Sequence, residues 1–224
     1  FRRVLFRSRP QGERLGYFEQ HRDAKNGGYM WSLTDAGPKD DSKQAYGHAF
    51  VLLAASSAKV IGHPIADMLL ADITQILEER FWEERHGAVM EEFARDWSPI
   101  SSYRGQNSNM HLTEALMAAF EATGERSYLD KAERIAELII GHHAASLGYR
   151  VAEHFHADWS LDQDYRGYDV FRPYGTTPGH WLEWARLLLQ LWTLGDKRHD
   201  WMPAASRELF RQSVEVGWDK DKGG

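Results

Sequence analysis

The chain contains no cysteine, which excludes a disulfide framework and any structural zinc site built on thiolates. It also lacks a basic excess. Its 27 Lys and Arg face 33 Asp and Glu, a formal net charge of −6, so no stripe exists to neutralise nucleic-acid phosphates. No apolar run approaches the roughly 18 residues that a membrane-spanning helix needs. No secretory leader is visible, and the cytoplasm is the expected compartment. Gly-x-Ser-x-Gly, P-loop and dinucleotide fingerprints are all missing, which leaves serine acyl transfer and nucleotide chemistry without support. What the chain does have is 224 residues, 42% of them hydrophobic, enough for one sizeable core. Nine Trp and nine Tyr add large apolar faces with hydrogen-bonding edges, a combination used both by helical cores and by sugar-binding clefts.

Residues 1–8, FRRVLFRS, fit nothing that follows. They would be encoded by TTC AGA CGT GTG CTC TTC CGA TCT, which resembles a sequencing-library adapter read in frame. These eight residues are expected to be non-native, and 9–224 to form one catalytic domain.

An internal repeat organises the remainder. Three segments, QAYGHAFVLLAASSAKVIGH, QNSNMHLTEALMAAFEATGE and TTPGHWLEWARLLLQLWTLGD, each carry an early histidine (His48, His111, His180). Each runs for about four turns to a glycine (Gly62, Gly124, Gly195) suited to a left-handed C-terminal cap. A second helix follows each. In the middle one, Leu129, Ala132, Ile135, Ala136 and Ile139 keep to one face and Lys131, Glu133, Arg134 and Glu137 to the other. Pro64 is placed at a helix start. Gly-containing turns (RHGAVMEEF, SLGYRVAEHF, DKGG, and an earlier KNGGYMWSL) close the units. Apolar first helices and amphipathic second helices predict inner and outer layers, an all-α toroid; a helical-repeat solenoid is the competing arrangement. In a toroid the three histidines should gather around one mouth.

His-x-x-Glu occurs at the start of two of these helices, as His111–Glu114 and His180–Glu183. Residues three apart share a helix face, so each pair can aim an imidazole and a carboxylate the same way. Such a pair suits proton transfer near neutral pH. A di-metal site is disfavoured, because helix-borne sites of that kind read Glu-x-x-His, the reverse order. His154 and His156, in EHFHADW, are expected on the surface.

At these residues the chain resembles the N-acylglucosamine 2-epimerase superfamily of (α/α)6 barrels, in particular its mannose isomerase and sulfoquinovose isomerase-like branch. WSLTDAGPKDDSKQAYGHAF, RGQNSNMHLTEALMAAFEATGE and RPYGTTPGHWLEWARLLLQL carry the likeness across residues 10–224. The resemblance implies an incomplete barrel, about three of six hairpins. It implies a cofactor-independent enzyme with no metal, acting on a monosaccharide, neither nucleic acid nor membrane being a partner. The reaction would interconvert an aldose such as D-mannose with its ketose through a cis-enediolate, or epimerise the sugar at carbon 2. A hydrolase of the α/α-toroid type and a non-catalytic scaffold are the more distant readings. Residue by residue, the likeness makes His180 an acid–base catalyst. Glu183 is its acidic neighbour near the sugar hydroxyls, and Tyr46, Asn107, Met110, His111 and Phe171 line the pocket. The family's second catalytic histidine and a pocket arginine have no counterpart in this chain.

Overall fold

The computed structural model describes residues 18–169 and 172–223; the expectations placed on residues 1–8 and on Phe171 lie outside them. Three helical hairpins follow one another. The first pairs α1 (Ala45–Val60) with α2 (Ala66–Ile76), the second α3 (Gln106–Thr123) with α4 (Arg126–Ala136), and the third α5 (Pro178–Leu194) with α6 (Trp201–Gly217). α2 and α4 each end in a π-helical turn, Leu77–Phe81 and Glu137–Ala144. α1, α3 and α5 form the inner layer and the other three the outer layer. This is an incomplete (α/α)6 barrel, with one continuous core running from Leu52 and Ile73 through Met110 and Ile135 to Trp184 and Leu209.

The amphipathic pattern of α4 is realised: Leu129, Ala132, Ile135 and Ala136 are fully buried, and the charged face looks outward. Pro64 lies in the turn just ahead of α2, while Pro178 is the first residue of α5, where its missing N–H costs nothing. Two of the three expected caps hold, since Gly62 and Gly124 adopt φ of 70° and 78°. Gly195 does not (φ −84°); Asp196 and Lys197 take the left-handed conformation after it. A side chain there would instead displace a neighbour. A Cβ at position 195 would lie 2.7 Å from Oε1 of Glu133 on the neighbouring hairpin.

Short strands, invisible to periodicity at two residues each, knit the turns. Lys43–Gln44 (β1) pairs antiparallel with Glu92–Phe93 (β2), and Arg104–Gly105 (β3) with His154–Phe155 (β4). Each pair straps the entry of one inner helix to the segment that follows the next outer helix. The strap continues into the helix: the N–H of Ala45 donates to the Glu91 carbonyl, and that of Gln106 to the Glu153 carbonyl. Each strap carries an ion pair, the fully buried Lys43 with Asp23 at 3.2 Å and the buried Arg104 with the half-buried Glu83 through two 2.8 Å bonds.

His48 belongs to this framework and not to the mouth, which corrects the expectation of three histidines around one cavity. It is fully buried. Its Nδ1–H donates to the Gln44 carbonyl (2.8 Å), and its Nε2 accepts from the N–H of Tyr29 (3.1 Å). Asn109, at the same fourth position of its helix, does the same work. Its amide donates to the Gly105 carbonyl (2.9 Å) and accepts from the N–H of Val89 (2.9 Å). The structural equivalent of His48 is therefore an asparagine.

Counted from the helix starts, Met110 and Met117 of α3 correspond to Leu182 and Leu189 of α5. The methionines are fully buried under α5, whereas the leucines are 43% and 46% exposed. Phe210 of α6 extends the same uncovered apolar face. No helix among the described residues is long and apolar enough to cross a membrane.

Burial holds the His48 imidazole down at about 4, against an ordinary 6.5. The unfolded chain therefore takes up a proton first as pH falls below 6.5, and stability drops until the folded imidazole also titrates. The variant H48N should fold, losing about 1–3 kcal/mol at pH 8 for the ring contacts removed. It should also lose less stability than the parent between pH 7 and pH 5. Thermal unfolding across that range checks this; an unchanged acid loss would assign it to another group, such as the buried His143.

Candidate functional site

The chemistry gathers where the first turns of the inner helices meet. His180 is the third residue of α5, and Thr177 before the helix is extended. The entry to α5 is held by Thr176, whose hydroxyl donates to the Val151 carbonyl (2.7 Å) and accepts from the Trp181 indole (3.0 Å). Two residues past Val151, Glu153 points its carboxylate at the helix start. The Nδ1 of His180 lies 2.9 and 3.0 Å from its two oxygens. Glu153 is almost wholly buried, and it also accepts from Gln106 Nε2 (2.8 Å) and from the N–H of Thr177 (3.3 Å). Gln106 is oriented in turn by the Trp184 indole, which donates to its Oε1 at 2.7 Å. Burial disfavours a charged His180. The hydrogen bond and charge of Glu153, with the charge of Glu183, override that and raise its pKa above 6.5.

A second group stands beside this one. His111 is the sixth residue of α3, and its Nδ1 is 3.9 Å from both Glu114 Oε2 and Glu183 Oε1. Its ring meets Tyr46 edge-on at 5.0 Å and Phe50 at 5.1 Å, so all three inner helices contribute. Arg186 binds Glu114 at 2.7 Å and lies 3.9 Å from Glu183. The His111 imidazole, and Arg186 with it, hold Glu114 below the ordinary carboxylate value despite burial. Burial, with the charge of Glu183, raises the Tyr46 phenol. His111, Glu114 and Glu183 could each present one ligand atom to a cation within a 4.8 Å spread, but the Arg186 guanidinium already supplies positive charge to that cluster.

The two His-x-x-Glu motifs are out of register with one another. His180 is third in its helix and His111 sixth in its own, so Glu183, not His180, is level with His111. The expected equivalence of the two pairs is thereby corrected, and the second motif is split between two clusters. His180 goes to Glu153 and Glu183 goes to His111. Asn107 is half-buried in the first turn of α3. Met110 is fully buried in the core and presents no surface to a solute. His154 is buried as well, contrary to its expected surface position. It stacks on Tyr165 at 3.8 Å, accepts from the Tyr103 hydroxyl (2.9 Å) and donates to the Pro173 carbonyl (2.8 Å). His156 is exposed.

Sequence reasoning missed Glu153, Gln106, Trp184 and Arg186. A signal for Glu153 existed. EEFARDWS at 91–98 and EHFHADWS at 153–160 are the same element, and they put Glu91 and Glu153 at one repeat position.

The model of the N-acylglucosamine 2-epimerase (GlcNAc 2-epimerase) family matches residues 13–224. The chain belongs to this family. It is 46% identical over 206 residues to a D-mannose isomerase of Pseudomonas cannabina pv. alisalensis, covering 89% of this chain and 50% of that protein. It is 42% identical over 216 residues to a D-mannose isomerase of Marinomonas mediterranea, covering 94% and 54%. A crystal structure of a D-mannose isomerase superposes with a TM-score of 0.87 at 40% identity, covering 94% of this chain and 54% of that one. The chain thus spans about half the length of the curated relatives it matches.

The Trp184–Gln106 bond offers a test of how firmly the first turn is held. Trp184→Phe would leave the buried Gln106 oxygen without its donor, and should cost about 1–3 kcal/mol in urea unfolding with the slope unchanged. No loss would mean that the glutamine readily finds another donor.

Proposed function

We propose that the protein carrying this chain is an aldose–ketose isomerase acting on a D-mannose-type sugar by proton transfer. The observation that carries this reading is the state of His180. Its Nδ1 is engaged by the Glu153 carboxylate, which leaves Nε2 as the nitrogen able to take and return a proton. The C–H beside the carbonyl of an open-chain aldose is acidic. In the proposed step Nε2 removes the proton from C2, the C–H electron pair forms the C1–C2 double bond, and the carbonyl oxygen takes the negative charge of a cis-enediolate. Transfer of the O2 proton to O1 and return of a proton to C1 give the ketose, while return of a proton to the other face of C2 restores the C1 carbonyl and gives the epimer. The route needs no hydride carrier and no metal. It does need a second acid–base group, which by the family likeness would stand in the part of the barrel beyond this chain.

The polar side chains around His180 suit the rest of the task. Asn107, His111 and Glu183 offer donors and acceptors for sugar hydroxyls, and Tyr46 adds an aromatic face beside them. Donors fixed in a partly desolvated site stabilise the developing enediolate oxygens better than water can. The choice of D-mannose rests on the two isomerases that share 46% and 42% identity with this chain. A cytoplasmic setting accords with such a metabolic role.

The full-length protein, given D-mannose in D2O, should form the ketose with deuterium incorporated at carbon. His180→Ala should lower turnover by about 10²–10⁴-fold with helix content intact. His111→Phe should raise KM more than it lowers kcat. Undiminished turnover in the His180 variant would remove His180 from the mechanism.

A further inference from the structure

We propose that Glu153 is the positioning residue of His180: it fixes the Nδ1–H tautomer, aims Nε2 away from the protein interior and sets the pH at which that nitrogen becomes a base. This deepens the isomerase reading and rests on it for its catalytic consequence, but the dyad itself is a matter of geometry.

Three independent features single out this carboxylate. The first is its burial with a full set of donors. Glu153 is 4% exposed, and the N–H groups of Thr177, Gln106 and His180 all converge on it. Gln106 cannot swap its amide ends, because the Trp184 indole occupies its oxygen. Its Nε2 donates to Glu153, and the two carboxylate oxygens at 2.9 and 3.0 Å from His180 Nδ1 place a proton on that nitrogen too, so one group must accept from both. A carboxylate, with its several lone pairs, can do so.

The second feature is the seat on which Glu153 stands. Its carbonyl accepts the N–H of Gln106, and its neighbour His154 pairs with Gly105 in the β3–β4 strap. The backbone of the acceptor is thus bolted to the helix that supplies Gln106, while its side chain reaches the helix that supplies His180.

The third feature is the repeat. One unit earlier, Glu91 holds the same place, and its carboxylate accepts from Ser108 Oγ at 2.5 Å. Ser108 is third in α3 as His180 is third in α5. The scaffold therefore builds the same carboxylate-to-helix link twice. In one copy the partner is a hydroxyl with no acid–base range near neutrality; in the other it is an imidazole. The dyad arises by placing a titratable ring on a link that the fold already makes.

The titratable groups facing this pair are few: Glu183 on the same helix as His180, with Tyr103 and His154 near Glu153. Replacing Glu153 by Gln keeps the shape but offers one acceptor oxygen where three N–H groups arrive. His180 then loses its fixed tautomer and the charge that favours its protonated form.

The test uses the full-length protein labelled with 15N-histidine, the His180 resonances being identified by their loss in His180→Gln. In the parent, the ring should be the Nδ1–H tautomer when neutral and should titrate above 6.5. In Glu153→Gln the midpoint should fall by at least about one pH unit and the Nε2–H tautomer should appear. For isomerisation, kcat should fall by about 10²-fold with KM changed less than about threefold. Activity needs neutral His180 as base, so the acid limb of the kcat profile should move to lower pH. Glu153→Asp should restore part of the shift. A Glu153→Gln variant with parental tautomer and midpoint overturns the proposal. So does a parent His180 that titrates at or below 6.5, a measurement that stands even if the variant is poorly stable. If the parent isomerises no aldose, the isomerase reading falls while the imidazole titration still decides the role of Glu153.

Discussion

The hydrogen bond from the first N–H of α1 and of α3 to the carbonyl just ahead of the strand that follows the next outer helix is the constraint on which the rest depends. Helix starts leave several backbone donors without intrahelical partners, and none of the described helices has a side-chain N-cap bond. The straps supply what capping side chains would otherwise give. They also fix a register between segments that are about 47 residues apart in sequence, as Gln106 and Glu153 are. Once that register is set, the side chain of the strapped residue has no choice but to face the next inner helix. The position of Glu153 against His180 follows from a backbone bond, not from the site itself.

Charge burial follows the same logic. Lys43, Asp23, Arg104 and Glu83 all stand at the straps, each cation matched to an anion with further bonds to backbone or indole. Such pairs add little net stability over apolar packing, but losing one partner is expensive, so they penalise any other pairing of the strands. Arg172 is used similarly, holding Glu92 through two bonds and standing 3.7 Å from the buried Glu91. The helix–helix contacts are built on the apolar core and edged by polar links such as Thr74 with Tyr128 and Arg186 with Glu114. The buried ion pair of Lys43 with Asp23 and the strapped Glu91 and Glu153 stand at the starts of the inner helices, where they specify register and where the site stands.

The helices and their layering were legible because a period of 3.6 persists over many residues, as in Leu129, Ala132, Ile135 and Ala136. The straps were not, because two-residue strands carry no period. The site was legible in type but not in register. His-x-x-Glu recurs, yet the motif begins at the third residue of α5 and the sixth of α3, and the offset shows only in the helix starts and in the equivalent links of Ser108 to Glu91 and His180 to Glu153. His48 looked like a third member because it shares a residue type. Its true counterpart is Asn109, which shares its hydrogen bonds and not its chemistry. Glu153 could have been found from the paired EEFARDWS and EHFHADWS, an agreement across eight residues that a search guided by histidine passes over.

The uncovered face of α5 bears on the site as well as on the fold. Leu182 and Leu189 occupy the places that Met110 and Met117 hold beneath α5, so the third hairpin presents to its open side the same kind of surface that the second presents to the third. The barrel repeat calls for another inner helix there. That helix would pack on the very element that carries His180 and Glu183. On α5, His180 and Glu183 meet groups of the other inner helices while Leu182 and Leu189 lie on its exposed side, so the polar cluster and the uncovered apolar face share one element.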